Sequence, residues 1–278
     1  TNLVVTDSGG LGAQTTGSGI EVVRIGGSSG GQFKLANYVA AGAFQYNLFQ
    51  GGAGAAAEDG NWYLRSTGYR AETPVDAAIG ALASRLGRGL LGTVLERGGL
   101  DRRCLVKPDS FLTGEALTAR CGPMAWTRVF GQTGSVGRIG GGTLDSHGPA
   151  YDFDLAGFAA GIDVYNTAND IIGFYVGIGH LTSSVQGVSG NDGGKVEMDA
   201  YALGGYWTHY GQGDWYTDVV LQGALYRDID ATSVNMDGGH SLRTEGSSFT
   251  ASLEGGYPFA LGGGYAIVPL AQLIYQRM

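Results

Sequence analysis

The sequence predicts an all-β chain with one helix, most of it the wall of an antiparallel transmembrane β-barrel. Three observations predict this fold. The second half of the chain is a train of alternating segments, each roughly ten to fourteen residues long, separated by Gly, Asn, Asp and Ser clusters. Composition agrees: 52 of 278 residues are Gly, about 19% against the ~7% of average proteins, and only 15% are charged against a usual ~25%. Mean hydropathy is +0.00 and no run of about 18 apolar residues occurs, which excludes a membrane-spanning helix but suits a barrel with a polar lumen.

The clearest segment runs from Ser248 to Phe259. Phe249, Ala251, Leu253, Gly255, Tyr257 and Phe259 fall on one face, and Ser248, Thr250, Ser252, Glu254 and Gly256 on the other. Seven strand candidates follow Met124, namely Met124–Gln132, Tyr151–Tyr165, Ile171–Val185, Lys195–His209, Asp214–Asp228, Ser248–Phe259 and Tyr265–Arg277. Compact turns at 166–169 and 211–213 alternate with longer polar stretches at 133–150 and 229–246, as on the two sides of an outer-membrane barrel. Gly173, Gly177 and Gly179 share a face with Tyr175, and a small-residue lumen face leaves room for an inserted helix.

That helix is expected upstream, over about 74–97. Pro74 suits a first helical turn, Asp76 complements its positive end, and Gly98-Gly99 ends it. At ~24 residues it would be ~36 Å long, about one bilayer thickness. Asp76, Arg85 and Arg88 oppose exposure to lipid. The many Ala and Gly positions make the helix slender, which suits a confined channel; an ordinary amphipathic linker helix is the alternative. Asp76, Arg85 and Arg88 are thus candidate lumen contacts, with Glu197, Asp218 and Glu254 on the strands as partners for the two arginines.

Residues 1–68 form a block of short strands (Leu3–Thr6, Ile20–Ile25, Gln32–Leu35, Ala43–Phe49 and Trp62–Arg65) broken by Gly-rich turns, as in a β-solenoid or a small sandwich. So few strands bury little surface, so the block is expected to cap something upstream. Thr1 is no initiator Met, and the chain stops at Met278 directly on a strand-like run, so both ends read as cuts. Cys104 and Cys121 form a candidate disulfide worth ~3 kcal/mol in an oxidising compartment, with two unpaired thiols as the alternative.

Three stretches carry a family resemblance. Asp59-Gly60-Asn61-Trp62-Tyr63-Leu64-Arg65-Ser66 is followed by the Ala/Leu/Gly/Arg helix closing on Leu95-Glu96-Arg97, and then by Ala125-Trp126-Thr127-Arg128-Val129-Phe130-Gly131-Gln132. In that order they resemble the pertactin-like autotransporters of type V secretion. Gly17–Arg24, Gly31–Leu35 and Gly42–Phe44 with Tyr46 and Leu48 resemble the autochaperone end of the passenger β-helix. Tyr151–Asp154, Gly161–Asp163 and Pro269–Leu273 resemble successive translocator strands.

The resemblance implies a 12-stranded barrel with a linker helix in its pore, here incomplete at about seven strands. It implies a division into 1–68 (end of the passenger, on the cell surface), 69–122 (linker with the helix) and 123–278 (translocator). The implied function is a bacterial outer-membrane domain that anchors and exports its own passenger. Implied partners are outer-membrane lipid, the barrel-assembly machinery and periplasmic chaperones.

Other chemistry is weakly signalled. Gly177-Ile178-Gly179 and Gly140-Gly141-Gly142 open no helix after a buried strand, so no nucleotide cofactor is expected. Asp145-Ser146-His147 lies in a loop, and adjacency in sequence is not triad geometry. His147, His180, His209 and His240 lack ligand spacing, so no metal is expected. The net charge of −8, without a basic tract, leaves no footprint for nucleic acid. Trp126, Trp207, Trp215, Tyr210 and Tyr216 near strand ends read as interfacial girdle residues. No enzyme is expected. The alternatives are a barrel enzyme, a porin-like channel and a soluble β-helix adhesin.

Overall fold

A computed structural model describes residues 1–27, 30–97, 123–137, 148–187, 192–233, 240–262 and 265–278, in two compact units, Thr1–Thr73 and Pro74–Met278. In the first, β1 (Asn2–Leu3) pairs in parallel with β3 (Lys34–Leu35). A four-stranded antiparallel sheet has the order β2 (Ile20–Val23), β6 (Trp62–Tyr69), β5 (Phe44–Gln50), β4 (Val39–Ala41). Val39, Tyr46 and Leu64 form its small core, with Val22, Leu35, Phe44 and Leu48 packed around them. The strand at Val39 escapes the sequence reading because it is three residues long and takes its order from the neighbouring β5 ladder.

A chain segment crosses this sheet without strand structure and is tied down by side chains. The Tyr46 hydroxyl donates to Ala13 O at 2.6 Å and accepts from Ala13 N at 2.9 Å. Gly12 has φ +68°, and a Cβ there would lie 1.9 Å from Ala41 O, so only glycine fits this crossing. At the β6 end, the Tyr63 hydroxyl donates to Asp59 Oδ2 at 2.5 Å, which holds the Asp59 carboxyl below its ordinary range.

In the second unit seven strands form one antiparallel sheet. In chain order they are β7 (Met124–Val136), β8 (Tyr151–Asn166), β9 (Asp170–Gln186), β10 (Asp192–Tyr210), β11 (Tyr216–Ser233), β12 (His240–Gly256) and β15 (Leu270–Arg277). Each pairs with the next, and a two-stranded hairpin of β13 (Phe259–Gly262) and β14 (Tyr265–Ile267) lies between the last two. The first six expected strands are present, and the seventh, Tyr265–Arg277, is divided: Tyr265–Ile267 pairs in the hairpin and Leu270–Arg277 joins the large sheet, with Pro269, which lacks a backbone N–H, at the break. The stretch 229–246 is mostly strand rather than loop, because β11 runs on to Ser233 and β12 starts at His240. Here the outward residues are charged, with Arg227 bonded to Glu245 and Arg243 to Asp230, so the apolar alternation ends before the ladder does.

The alternation is inverted relative to a soluble sheet. On β9, Ile172, Phe174, Val176 and Ile178 are 39–58% exposed, whereas Tyr175 and Leu181 are at most 2% exposed. Phe158, Tyr201, Leu203, Leu221, Leu225, Phe249 and Leu253 continue the exposed apolar face across β8 and β10 to β12. The opposite face of β12 buries Ser248, Thr250, Ser252 and Glu254. Register sets Ile172 opposite Trp207 and Ile178 opposite Tyr201, so the apolar stretch forms a continuous belt. About seven residues at ~3.3 Å each give ~23 Å, close to the ~25 Å outer band of a membrane barrel.

Of the expected girdle residues, Trp207 and Trp215 are exposed, whereas Trp126, Tyr210 and Tyr216 are buried and cannot face lipid. Strand parity decides this: Trp126 faces inward, with its Nε1 donating to Tyr206 Oη at 2.8 Å. Glu197 falls on the other parity, exposed beside Asp199 and Tyr201.

Two outcomes are expected. Val176→Arg, inside the belt, costs ~2–4 kcal/mol of barrel stability by urea unfolding in lipid vesicles, whereas Ser184→Arg, beyond it, costs about 0–1 kcal/mol. Because the Asp59 carboxyl is depressed when folded, its contribution is present above the unfolded carboxylate pKa (~3.9) and is lost as pH falls through the folded value. Asp59→Asn should therefore raise amide exchange in β6 at neutral pH, and the difference from the parent should vanish in acid.

Candidate functional site

The buried face of the seven-stranded sheet receives a helix, α1 (Thr73–Leu91). Val75, Ala78, Leu82, Leu86 and Leu90, spaced three or four residues apart, form its buried stripe. They pack on Phe153 and Leu155 of β8, Leu181 of β9, Met198 and Ala200 of β10, and Tyr226 of β11. The helix is shorter than the expected 74–97. Gly92, at φ +66°, turns the chain, and Thr93 with Glu96 starts a separate capped turn. Thr93 N donates to Glu96 Oε2 at 2.9 Å and Glu96 N to Thr93 Oγ1 at 3.3 Å, the reciprocal pair of a capping box.

Close approach of helix and wall depends on missing side chains. A Cβ on Gly177 would lie 2.8 Å from Leu90 Cδ2, and one on Gly179 would lie 2.9 Å from Leu86 Cδ1. Opposite them, a Cβ on Gly87 would lie 2.4 Å from the Tyr226 hydroxyl. The helix main chain is thereby open to strand side chains. Gln222 donates to Gly87 O at 2.9 Å, and Gln272 to Gly92 O at 3.3 Å. Arg128 Nη2 donates to Gly89 O at 2.8 Å and Leu90 O at 2.9 Å. These carbonyls belong to the helix end, which lacks intrahelical donors and carries partial negative charge, so a guanidinium fits both needs. The other nitrogen of Arg128, Nη1, donates to Glu96 Oε2 at 2.9 Å.

Past the helix, Arg97 enters the polar interior. Its Nη2 lies 2.5 Å from Asp218 Oδ2, with both side chains 1% exposed, and its guanidinium lies 4.9 Å from the centre of the Tyr206 ring. Asp218 Oδ1 accepts from Thr208 at 2.6 Å, Tyr206 donates to Asp163 at 2.5 Å, and Tyr216 donates to Glu254 at 2.8 Å. Tyr175 donates to Gln222, the residue that caps Gly87, at 2.6 Å. A buried charge is tolerated when it is paired and hydrogen-bonded. This arrangement holds a peptide segment, with its polar groups matched to those of the wall.

The expected helix contacts differ in placement. Arg85 lies 4.1 Å from the centre of the Phe153 ring, while the Asp76 and Arg88 side chains are exposed. The expected partners of the arginines are otherwise engaged: Asp218 takes Arg97, Glu254 takes Tyr216, and Glu197 faces outward. The cause is the helix end at Leu91, which frees Arg97 to reach Asp218. Cys104, Cys121 and Asp145-Ser146-His147 lie outside the described residues. The polar contacts at Arg97, Arg128, Gln222 and Gln272 escape the sequence reading. The usable signal was inward parity on the strands together with the three glycines Gly87, Gly89 and Gly92.

Comparison with known proteins places this geometry. The autotransporter beta-domain model matches residues 125–278, and the autochaperone domain type 1 model matches residues 1–48. Adhesin BmaC autotransporter of Brucella suis biovar 1 (strain 1330) is 32% identical over 100% of this chain and 9% of its own length. Autotransporter adhesin AIDA-I of Escherichia coli is 25% identical over 92% of this chain and 19% of its own length. The chain thus spans a small part of these curated relatives. The solved beta domain of the Bordetella autotransporter BrkA superposes with a TM-score of 0.41 at 22% identity, over 56% of this chain and 58% of that one.

Gly87→Val should destabilise the helix seat by ~1–3 kcal/mol through overpacking against Tyr226. Gly87→Val with Tyr226→Phe should recover part of that loss in a double-mutant cycle of thermal unfolding.

Proposed function

The chain belongs to the autotransporter beta-domain family, and on that premise we propose that it anchors and exports an N-terminal passenger through the outer membrane. The observation that carries this reading is a helix seated on the inner face of a wall whose other face is an exposed apolar belt. A helix in that position links what lies before it to the barrel and occupies the path of a porin-like channel.

The helix runs towards the end of the wall that carries the short turns at 167–169 and 211–215, since Asp218, which takes Arg97, lies near the start of β11. Short turns mark the periplasmic side, so the N-terminal end of the helix points outward. Residues 1–68 are then the surface end of the passenger, 69–122 the linker and 123–278 the translocator. The autotransporter relatives support a non-enzymatic role, and we infer no catalytic activity in this domain. Barrel-assembly machinery and periplasmic chaperones are the partners such an outer-membrane wall needs for insertion.

The test is surface display. A small cysteine-free reporter placed upstream of Thr1 in the full reading frame should be digested by protease added to intact cells. Deleting residues 73–97 should leave the barrel in the outer membrane, cut display at least ~10-fold and raise single-channel conductance. Display that persists without the helix overturns the reading.

A further inference from the structure

The apolar seat of the helix does not fix its depth. Leu82, Leu86 and Leu90 recur every fourth residue, and Leu86 and Leu90 sit over Gly179 and Gly177. Two residues of strand advance ~6.6 Å and one helical turn ~5.4 Å. An outward slide of one turn therefore moves Leu90 over Gly179, where Leu86 sits at rest, so one leucine replaces another against the same glycine. Closely packed elements do move by such one-turn steps.

Nor does chain length alone set the depth. Residues 98–123 separate Arg97 from the start of β7. At ~3.3 Å per residue that many residues have a contour length of up to ~85 Å, more than twice the bilayer thickness.

Directional contacts supply what these two lack. Arg97 against Asp218 and Tyr206, Glu96 against Arg128, and Gly92 O under Gln272 each bind at one depth only. Gly92 leaves the room that Arg128 occupies at this depth, because a Cβ there would lie 2.3 Å from Arg128 Nη1. A one-turn slide would break all of them and strand the Asp218 carboxylate in the buried interior without its cation.

Resting on the translocator reading, we propose that residues 92–97 are a latch that stops the exported chain at a set depth, with Arg97 as its principal positioning residue. The wall thus distinguishes the end of export by charge and hydrogen bonding, while the leucine stripe supplies sealing that tolerates sliding.

Disulfide trapping in the full reading frame tests this, with Cys104 and Cys121 replaced by Ser. Leu90→Cys is combined with Gly177→Cys (resting depth) or with Gly179→Cys (one turn outward). In the parent, the resting pair should close at least ~10-fold faster. Arg97→Met should bring the ratio close to 1, and Glu96→Ala should lower it several-fold. The swap Arg97→Asp with Asp218→Arg should restore it, which a loss of general packing would not. An unchanged ratio in either single variant that retains a heat-resistant barrel overturns the latch. If Arg97→Met does not assemble, the Glu96→Ala ratio decides alone. Reporter display in the parent, read in the same cells, separates failure of the latch from failure of the translocator reading: display with an unchanged ratio removes only the latch.

Discussion

A helix packed on a sheet is fixed at one depth by directional contacts with the wall, and glycine opens its main chain to several of them here. Gly87, Gly89 and Gly92 each present a carbonyl to a strand side chain: Gln222, Arg128 and Gln272 respectively. Glycine in a helix interior is unfavourable by ~1 kcal/mol relative to Ala. The helix accepts that cost near its C-terminal end, where its own carbonyls lack partners and where Arg128 offsets the dipole. Remove the glycines and the wall is pushed back from the main chain. The donors of Gln222 and Arg128 would then be buried and unmatched.

Lipid imposes the complementary condition on the outside. Exposed Phe174, Val176, Leu203 and Leu253 leave the inner face as the place for polar groups. There they must find partners or remain desolvated. Tyr175, Tyr206 and Tyr216 do much of this, each donating to a neighbour while its ring lies in the aromatic and aliphatic packing of the wall. Trp126 joins them through Tyr206. The strand faces are kept in this arrangement even where the alternation slips. At Arg227 and Asp228 two successive residues face outward, Asp228 with φ +48°, and Ile229 and Ala231 then turn inward on the opposite parity. The bulge resets the strand where its neighbours change from lipid-facing to charged.

The charged pairs beyond the belt explain why long strands look like loops in the sequence. Arg227 with Glu245 and Arg243 with Asp230 lie on paired strands, so the ladder continues through residues that no lipid-facing pattern would select. In the N-terminal unit the opposite holds: the strands are short, and Tyr46, Ser66 and Asn61 tie the intervening chain to them by side-chain bonds. Length and period make the first kind of order conspicuous in sequence. Individual hydrogen bonds, which make the second, leave no periodic trace.

By itself the sequence determined the class of fold, the first six strands of the large sheet with most of their faces, the presence of a slender helix and the small-residue lumen that admits it. These follow from local rules, since a period of two, a stripe of leucines at every fourth position and a surplus of glycine act within a few residues of one another. Tertiary structure alone decided that the helix stops at Leu91, that Arg97 rather than Arg85 or Arg88 meets Asp218, and that Trp126, Tyr210 and Tyr216 turn inward. Each of those depends on register between strands and on the depth of the helix against them. Such positions are set by the packing of residues more than a hundred apart in the chain, as Arg97 and Asp218 are (|i−j| = 121), and no local pattern specifies them.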